Sequence, residues 1–215
     1  MGIIALNGYV LILRGNGILK FLDGISTNLV EGNCTTVFTT SIAKIIDMVE
    51  IIVMGEMVAL VGHGPFKNQI VTHLSKRILG SNITIADASA SNQIMLSTLD
   101  LVLDDSVTKI KTFRGWLLVG PEKKCPQETM TLEQFNQYRV ENIIPHQGYE
   151  ITQKVHPLTC GLGHLVHENK GCYIGQEILA RMRSRGRQGK TLTRVENPAD
   201  DATTIGLSRS LVIRK

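Results

Sequence analysis

The chain has 215 residues, of which 43% are hydrophobic and 20% charged, enough for a buried core in one large domain or two small ones. Its four cysteines are widely separated, and neither a secretion signal nor an apolar run of membrane-spanning length is present. We therefore expect a cytoplasmic protein with reduced thiols and no membrane partner. The net charge is only +4, but basic residues crowd between Arg181 and Arg194, so charge does not exclude a nucleic-acid partner.

The first part of the chain predicts strands alternating with helices. Apolar β-prone runs and helical spacing predict strands at 9–13, 35–40, 45–53, 57–61 and 82–86 and helices at 15–22 and 66–78. A turn at Gly55-Glu56 joins the third and fourth strands as a hairpin, and Pro65 and Gly80 bound the second helix. This order approximates the β-α-β-β-α-β unit of a ferredoxin-like fold.

The second part of the chain is mostly extended from residue 93 to residue 120, with a clear strand at 115–119. Thr131 and Gln134 have the spacing of a capping box and predict a helix that continues to about Glu141. After residue 186 the sequence is polar, and a last short strand is predicted at 211–213.

The segment from Lys170 to Glu177 places a cysteine between two glycines at the predicted start of a helix. At that position, helix amides and the helix dipole favour a thiolate at Cys172, and the charges of Lys170 and Arg181 add to the effect. The alternative is a half-buried thiol that packs at a tight turn.

Three groups of residues resemble one known family. Lys170-Gly171-Cys172-Tyr173-Ile174-Gly175-Gln176-Glu177, followed by Arg181 and Arg185-Gly186, is similar to the signature of the YgfZ-type branch of the glycine-cleavage T-protein superfamily. Residues 138–145 with 148–151, and residues 14–28, resemble further stretches of that family. The resemblance covers most of residues 8–194 in the same order.

The resemblance implies an α+β fold in which a ferredoxin-like unit and a second, similar lobe enclose tetrahydrofolate or a derivative. It divides the chain into a folate-binding core at 1–190 and a truncated C-terminal β-barrel at 191–215. T-proteins transfer an aminomethyl carbon to folate, whereas the YgfZ branch is linked to the upkeep of iron–sulfur enzymes. The implied partners are a folate and an iron–sulfur client protein.

Several side chains suit this chemistry. The donor edge of a pterin needs an acceptor pair such as the carboxylate of Glu150 or Glu141, and a glutamate tail needs a cation such as Arg139 or Arg181. Surface salt bridges are the alternative for each of these residues. With the matched segments, the predicted catalytic residues are Cys172 and Asp47, and the predicted cofactor-binding residues are Glu141, Glu150, Arg139, Tyr149, Gln176 and Arg181.

We predict no metal site. Cys160, His164, His167 and Cys172 have zinc-like spacing, but the two histidines lie in a connecting segment, where solvent-facing histidine is the ordinary case.

Departures from the family pattern decide between its activities. Met48 replaces the second of two acidic residues and leaves Asp47 alone, Thr159 and Leu29 replace two further acidic residues, and the chain ends at Lys215 with room for only a strand or two of the barrel. We therefore expect a tetrahydrofolate-binding accessory protein rather than an aminomethyltransferase. The third alternative is a basic RNA- or protein-interaction module, although no aromatic residue interleaves the arginine-rich stretch for base stacking.

Overall fold

The computed structural model describes residues 1–184 and 189–215, which form a mixed α+β chain with three antiparallel sheets. The strands are β1 (Ile3–Ala5), β2 (Gly8–Arg14), β3 (Cys34–Thr39), β4 (Ile45–Met54), β5 (Met57–His63), β6 (Thr84–Asp87), β7 (Gln93–Ser97), β8 (Thr108–Thr112), β9 (Gly115–Gly120), β10 (Thr191–Glu196), β11 (Thr204–Ile205) and β12 (Arg209–Arg214). The α-helices are α1 (Ile18–Asp23), α2 (Lys67–Ser75), α3 (Leu132–Asn142) and α4 (Gln176–Ser184). The mixed α+β class predicted from the sequence is confirmed.

The largest sheet has the strand order β3-β4-β5-β2-β6, with every neighbouring pair antiparallel. The predicted hairpin joins β4 and β5 through Gly55, whose φ of 62° is unstrained for glycine. One face of this sheet is covered by α1 and α2, which pack Ile18, Leu22, Ile70 and Leu74 into its core. The strand β3 adds an edge to the sheet beyond the six-element order predicted from the sequence.

The second sheet has the order β1-β7-β9-β8 and packs against the other face of the first. Val10, Ile52 and Val61 of the first sheet share an apolar cluster with Ile94 and Leu117 of the second. Because both of its faces are covered, β4 is buried over its first eight residues. The three-residue strand β1 was not predicted, since so short a run carries no measurable periodicity.

The helix α3 begins with the predicted capping box. The hydroxyl of Thr131 accepts a hydrogen bond from the Gln134 amide at 3.2 Å, and the Gln134 side chain accepts one from the Thr131 amide at 2.9 Å. In contrast, α2 ends at Ser75 and is shorter than predicted. No helix in residues 1–184 or 189–215 is long and apolar enough to cross a membrane.

A third sheet at the C-terminus has the order β10-β12-β11 and packs on α3. The Gln137 side chain of α3 accepts a hydrogen bond from the Leu207 amide at 2.8 Å, and the Arg194 guanidinium donates to the Glu141 carbonyl. Only β12 was predicted from the sequence. The polar, half-exposed residues of β10 and the two residues of β11 give little apolar alternation.

Candidate functional site

A buried carboxyl group lies on β4 of the first sheet. Asp47 of β4 is fully buried and accepts hydrogen bonds from the Tyr9 hydroxyl at 2.8 Å, the His63 amide at 3.0 Å and the Met48 amide at 2.8 Å. Burial raises the pKa of Asp47 to about 7, and the three donors oppose that rise without cancelling it. The absence of a side chain at Gly62 makes room for this arrangement, because a Cβ there would lie 2.4 Å from the carboxyl oxygen.

A buried ion pair adjoins Asp47. Arg114, from the turn between β8 and β9, donates to the Glu50 carboxylate at 2.9 Å and to the Gln147 side chain at 3.2 Å. Gln147 in turn donates to the Met48 carbonyl at 3.0 Å. These contacts connect the second sheet to β4, and we call Asp47, Tyr9, Glu50, Arg114 and Gln147 the central polar cluster.

A small cavity of about 20 Å³ adjoins this cluster between the two larger sheets. Its walls combine the apolar side chains of Leu6, Val61, Ile94 and Leu117 with polar groups that include His63 and His146. Burial lowers the pKa of His146 to about 2, so its imidazole ring is neutral at physiological pH. Within the described residues, His146 Nδ1 and Arg114 Nε have no hydrogen-bond partner.

The predicted folate ligands Arg139 and Glu150 are instead paired with each other. Both side chains are fully buried, and Arg139 Nη1 lies 2.8 Å from Glu150 Oε2. The other carboxylate oxygen of Glu150 accepts hydrogen bonds from Thr203 at 2.7 Å and Thr204 at 2.6 Å. This network joins α3 to the C-terminal sheet, and in this structure it leaves neither charge facing a ligand pocket.

The other predicted cofactor-binding residues do not converge on one pocket. The Tyr149 ring lies 4.7 Å from the Arg139 guanidinium carbon, whereas Glu141 is exposed and accepts a hydrogen bond from Gln137. Arg181 is exposed and pairs with Glu177 on the same helix at 2.9 Å. The half-buried Gln176 begins α4 and adjoins a separate pocket with His167 and Arg183. Arg185-Gly186 and Arg187 of the basic stretch lie outside the described residues.

The segment that carries Cys172 is anchored by its neighbours. The ammonium of Lys170 donates to three backbone carbonyls at 2.6–2.9 Å and pairs with Asp23 at 2.8 Å. Gly175, with φ of 85°, packs so closely on the turn after β3 that a Cβ would lie 2.8 Å from the Thr39 hydroxyl. Cys172 itself is exposed and lies four residues before α4 begins at Gln176, so its thiol is not among the groups at that helix N-terminus.

Sequence reasoning missed most of the central polar cluster. Tyr9 read as an apolar strand residue, and Arg114 and Gln147 were single polar residues in an extended run and a loop. The only available signal was a charged residue inside an apolar strand pattern, which holds for Glu50 as well as for Asp47. No group of three or more potential metal ligands occurs in the part of the chain that the structure describes.

Two antiparallel sheets packed face to face, with helices on the outer face of the first sheet and a small sheet at the C-terminus, make up an α+β fold. The structure is similar to that of the glycine cleavage system aminomethyltransferase T from Bartonella henselae, with a TM-score of 0.71 and 12% sequence identity. The alignment covers 89% of this chain and 65% of that protein, so the chain spans about two thirds of its length. This likeness establishes the fold. No family model and no curated protein matches the sequence.

Proposed function

We propose that the chain is a tetrahydrofolate-binding accessory protein of the YgfZ type. The observation that carries the proposal is the likeness in fold to an aminomethyltransferase of the glycine cleavage system over 89% of the chain. The resemblance of residues 170–177 to the YgfZ signature supports the branch. The proposal includes a cytoplasmic location, an iron–sulfur client and a division at residue 190 into a core of two similar lobes and a C-terminal region related to the barrel of the family.

The space between the two larger sheets does not fit a folate in this structure. Ligand pockets usually measure roughly 300–1,000 Å³, whereas the cavity between the sheets measures about 20 Å³. The Arg139–Glu150 pair is likewise closed on itself. We therefore derive no catalytic step through folate at this position, and binding there requires side chains such as His63 and His146 to move.

The surroundings of Asp47 favour an accessory role over aminomethyl transfer. Met48, which stands where the family has its second acidic residue, is fully buried in an apolar cluster with Val37, Ile45 and Ile151. The carboxyl of Asp47 faces three hydrogen-bond donors of the protein itself. A single carboxyl engaged in this way lacks the acidic partner and the open space that a transferase site needs.

Thermal unfolding with a stable reduced folate tests the proposal. We expect 5-formyltetrahydrofolate to raise the melting temperature, because a ligand that binds only the folded state stabilises it by about 2.7 kcal/mol at a hundredfold excess over Kd. For a chain of this size that corresponds to roughly 5–10 °C. Free glutamate at the same concentration serves as the control. If the melting temperature does not change at about 1 mM 5-formyltetrahydrofolate, folate binding is contradicted. A Kd of about 1 mM corresponds to a binding free energy of roughly 4 kcal/mol.

The aminomethyltransferase alternative predicts turnover. If the chain is a transferase, methylene-tetrahydrofolate forms when the other glycine-cleavage components are supplied, and it no longer forms with the Asp47→Asn variant. We expect no turnover from the unmodified chain. Measurable turnover that depends on Asp47 contradicts the accessory role and supports the transferase.

A basic RNA-binding module remains the third candidate. In the described part of the arginine-rich stretch, Arg181 forms an ion pair with Glu177 and Arg183 with Glu168, and Arg194 donates hydrogen bonds to backbone carbonyls of α3. These contacts favour a structural role. Salt-sensitive RNA binding that is lost when the arginines are neutralised is the result that favours this candidate instead.

A further inference from the structure

An open groove of about 590 Å³ lies beside α2 and the start of β4. Its volume falls within the roughly 300–1,000 Å³ usual for small-molecule sites. The lining residues come from α2 and the turn that follows it, from the turn after β3, from the start of β4, and from two loops. They are Thr40, Ser41, Ile45, Ile46, Gln69, Thr72, His73, Lys76, Arg77, Gln153 and Ile174.

The helix α2 presents one face to the core and another to this groove. Ile70 and Leu74 are fully buried against the first sheet. The side chains at positions 69, 72, 73 and 76 have the i, i+3, i+4, i+7 spacing of one helix face, and all four line the groove. This polar stripe lies beside the apolar side chains of Ile45, Ile46 and Ile174, so the groove combines polar and apolar walls.

His73 supplies a buried polar atom without a partner. Its side chain is only 7% exposed, and its ring packs edge-on against Phe38 with the centroids 5.8 Å apart. Among the described residues, Nε2 has no hydrogen-bond partner. Burial, together with the charge of Arg77, lowers the pKa of His73 to about 4, so the imidazole is neutral at physiological pH. A buried polar atom left unpaired costs free energy, which a ligand hydrogen bond recovers.

The charge of the groove is positive. Lys76 and Arg77 are exposed cations, and no acidic residue occurs among the described residues of the lining. Arg77 donates through Nη1 to the His73 carbonyl at 2.7 Å, which leaves further guanidinium donors, and Lys76 forms no ion pair with a described residue. A solvated polar helix face explains these two cations but does not explain the unpaired nitrogen of His73.

We propose that this groove binds a small organic anion that carries carboxylate groups on an apolar or aromatic body. Lys76 and Arg77 hold the carboxylates, and Ile45, Ile46 and Ile174 contact the body. The ring of His73 turns toward the groove so that its buried Nε2 makes a hydrogen bond to a polar atom of the ligand. Asp47 is not among the residues that line the groove. The inference rests on its own geometry and holds whether or not the chain binds folate.

Calorimetric titration with p-aminobenzoylglutamate, an aromatic ring with two carboxylates, tests the assignment. We expect the unmodified chain to bind it and Lys76→Glu to raise Kd at least about tenfold. Lys123→Glu is the matched control. Lys123 is an exposed lysine in the turn after β9, and its replacement changes the net charge by the same amount as Lys76→Glu. We expect Lys123→Glu to leave Kd within about twofold.

A spectroscopic readout at His73 accompanies the titration. With ¹⁵N-labelled histidine, ligand is expected to shift the ring-nitrogen resonance of His73 more than that of any other histidine, and Lys76→Glu to prevent that shift at the same ligand concentration. The proposal is overturned if the unmodified chain does not bind p-aminobenzoylglutamate at about 10 mM, because any binding is then weaker than roughly 3 kcal/mol. Equal loss of binding in Lys76→Glu and Lys123→Glu, or a constant His73 signal despite binding, overturns it as well.

The folate experiment separates the two proposals. Because 5-formyltetrahydrofolate contains the p-aminobenzoylglutamate group, a thermal shift that disappears in Lys76→Glu reports binding in the groove and leaves the folate function without support. If 5-formyltetrahydrofolate stabilises the unmodified chain and Lys76→Glu equally while p-aminobenzoylglutamate does not bind, the groove assignment fails and the folate function stands.

Discussion

The carboxyl of Asp47 gives the chain a pH-dependent stability near neutrality. Its folded pKa of about 7 is above the value of about 3.9 in an unfolded chain, so the folded state holds the extra proton between these values. The contribution of Asp47 is therefore fully present below about pH 4 and is lost as the pH rises through 7. His146 acts in the opposite direction, because its lowered pKa makes the folded state bind fewer protons below about pH 6.5.

Replacing Asp47 by asparagine isolates the first of these effects. Asparagine has no proton to lose, so the free energy of unfolding of Asp47→Asn relative to the unmodified chain should rise by roughly 2 kcal/mol between pH 5 and pH 8. Urea unfolding at a series of pH values measures the difference. Asp105→Asn, at an exposed carboxyl, is the control for loss of charge. If the curves of Asp47→Asn and the unmodified chain run parallel, the raised pKa is wrong.

The four cysteines should differ in reactivity according to exposure. Cys172 is exposed, whereas burial raises the pKa of Cys34 to about 11 and that of Cys160 to about 12. We expect iodoacetamide to modify Cys172 first and Cys160 only after unfolding, as followed by mass spectrometry, and the fast phase to vanish in Cys172→Ser. The pH dependence of the rate of that phase tests whether the fold activates the Cys172 thiolate. An apparent pKa equal to that of a free thiol contradicts activation.

At the scale of elements, the segment 170–175 is held in place by two specific contacts. The ammonium of Lys170 is enclosed by the carbonyls of Asp23, Ser26 and Asn28, and Gly175 lies against the turn after β3. Both contacts fix the backbone on either side of Cys172 and leave its side chain outward. The resemblance in this segment therefore has a structural basis that includes the lysine and the glycine, independent of any chemistry at the thiol.

Removing the lysine charge should destabilise the fold. Lys170→Met leaves three carbonyls and the Asp23 carboxylate without their donor, and we expect a loss of roughly 2 kcal/mol or more in the free energy of unfolding, reduced by the partial exposure of Asp23. Urea denaturation measures it, with Lys123→Met as the control at an exposed lysine. A cost equal to that of the control, about 0.5 kcal/mol or less, shows that the buried ammonium is not stabilising.

The sequence predicted elements well where apolar periodicity was strong. The hairpin of β4 and β5 and the capped start of α3 were readable because a positive-φ glycine and a Thr-x-x-Gln pattern are local signals. The strands β1, β10 and β11 were not predicted, since they are short or polar, and β1 forms only through pairing with the distant strand β7. The cofactor-binding residues were chosen by resemblance, and pairing of Arg139 with Glu150 was not foreseen, because sequence spacing does not reveal which charges face each other.

Across the whole molecule, the pair of Arg139 and Glu150 connects parts that are distant in sequence. Arg139 of α3 and Glu150 of the following loop share the hydroxyl of Thr204 in β11. The C-terminal sheet is thereby attached to the rest of the fold through fully buried charges. Breaking such a pair is costly, since the remaining charge stays buried without its partner.

The substitution Glu150→Gln tests this coupling. We expect the free energy of unfolding to fall by about 3–5 kcal/mol and the C-terminal sheet to become accessible to limited proteolysis near residues 197–203. The double variant Arg139→Met with Glu150→Leu removes both charges and should recover much of the loss. A small effect of Glu150→Gln, or a double variant as unstable as the sum of two single ones, contradicts the assigned role.

The anchoring of Lys170 also has a consequence for the order of events during synthesis. Its three carbonyl acceptors lie 142 to 147 residues earlier in the chain, in the turn between α1 and β3. The strands of the first sheet are all translated by residue 87, but this turn stays without its cation until residue 170 leaves the ribosome. At about 5–20 residues per second the delay is on the order of 10 seconds. A nascent chain stalled before residue 170 should therefore carry a loosened turn at 23–28 that a protease or chaperone recognises.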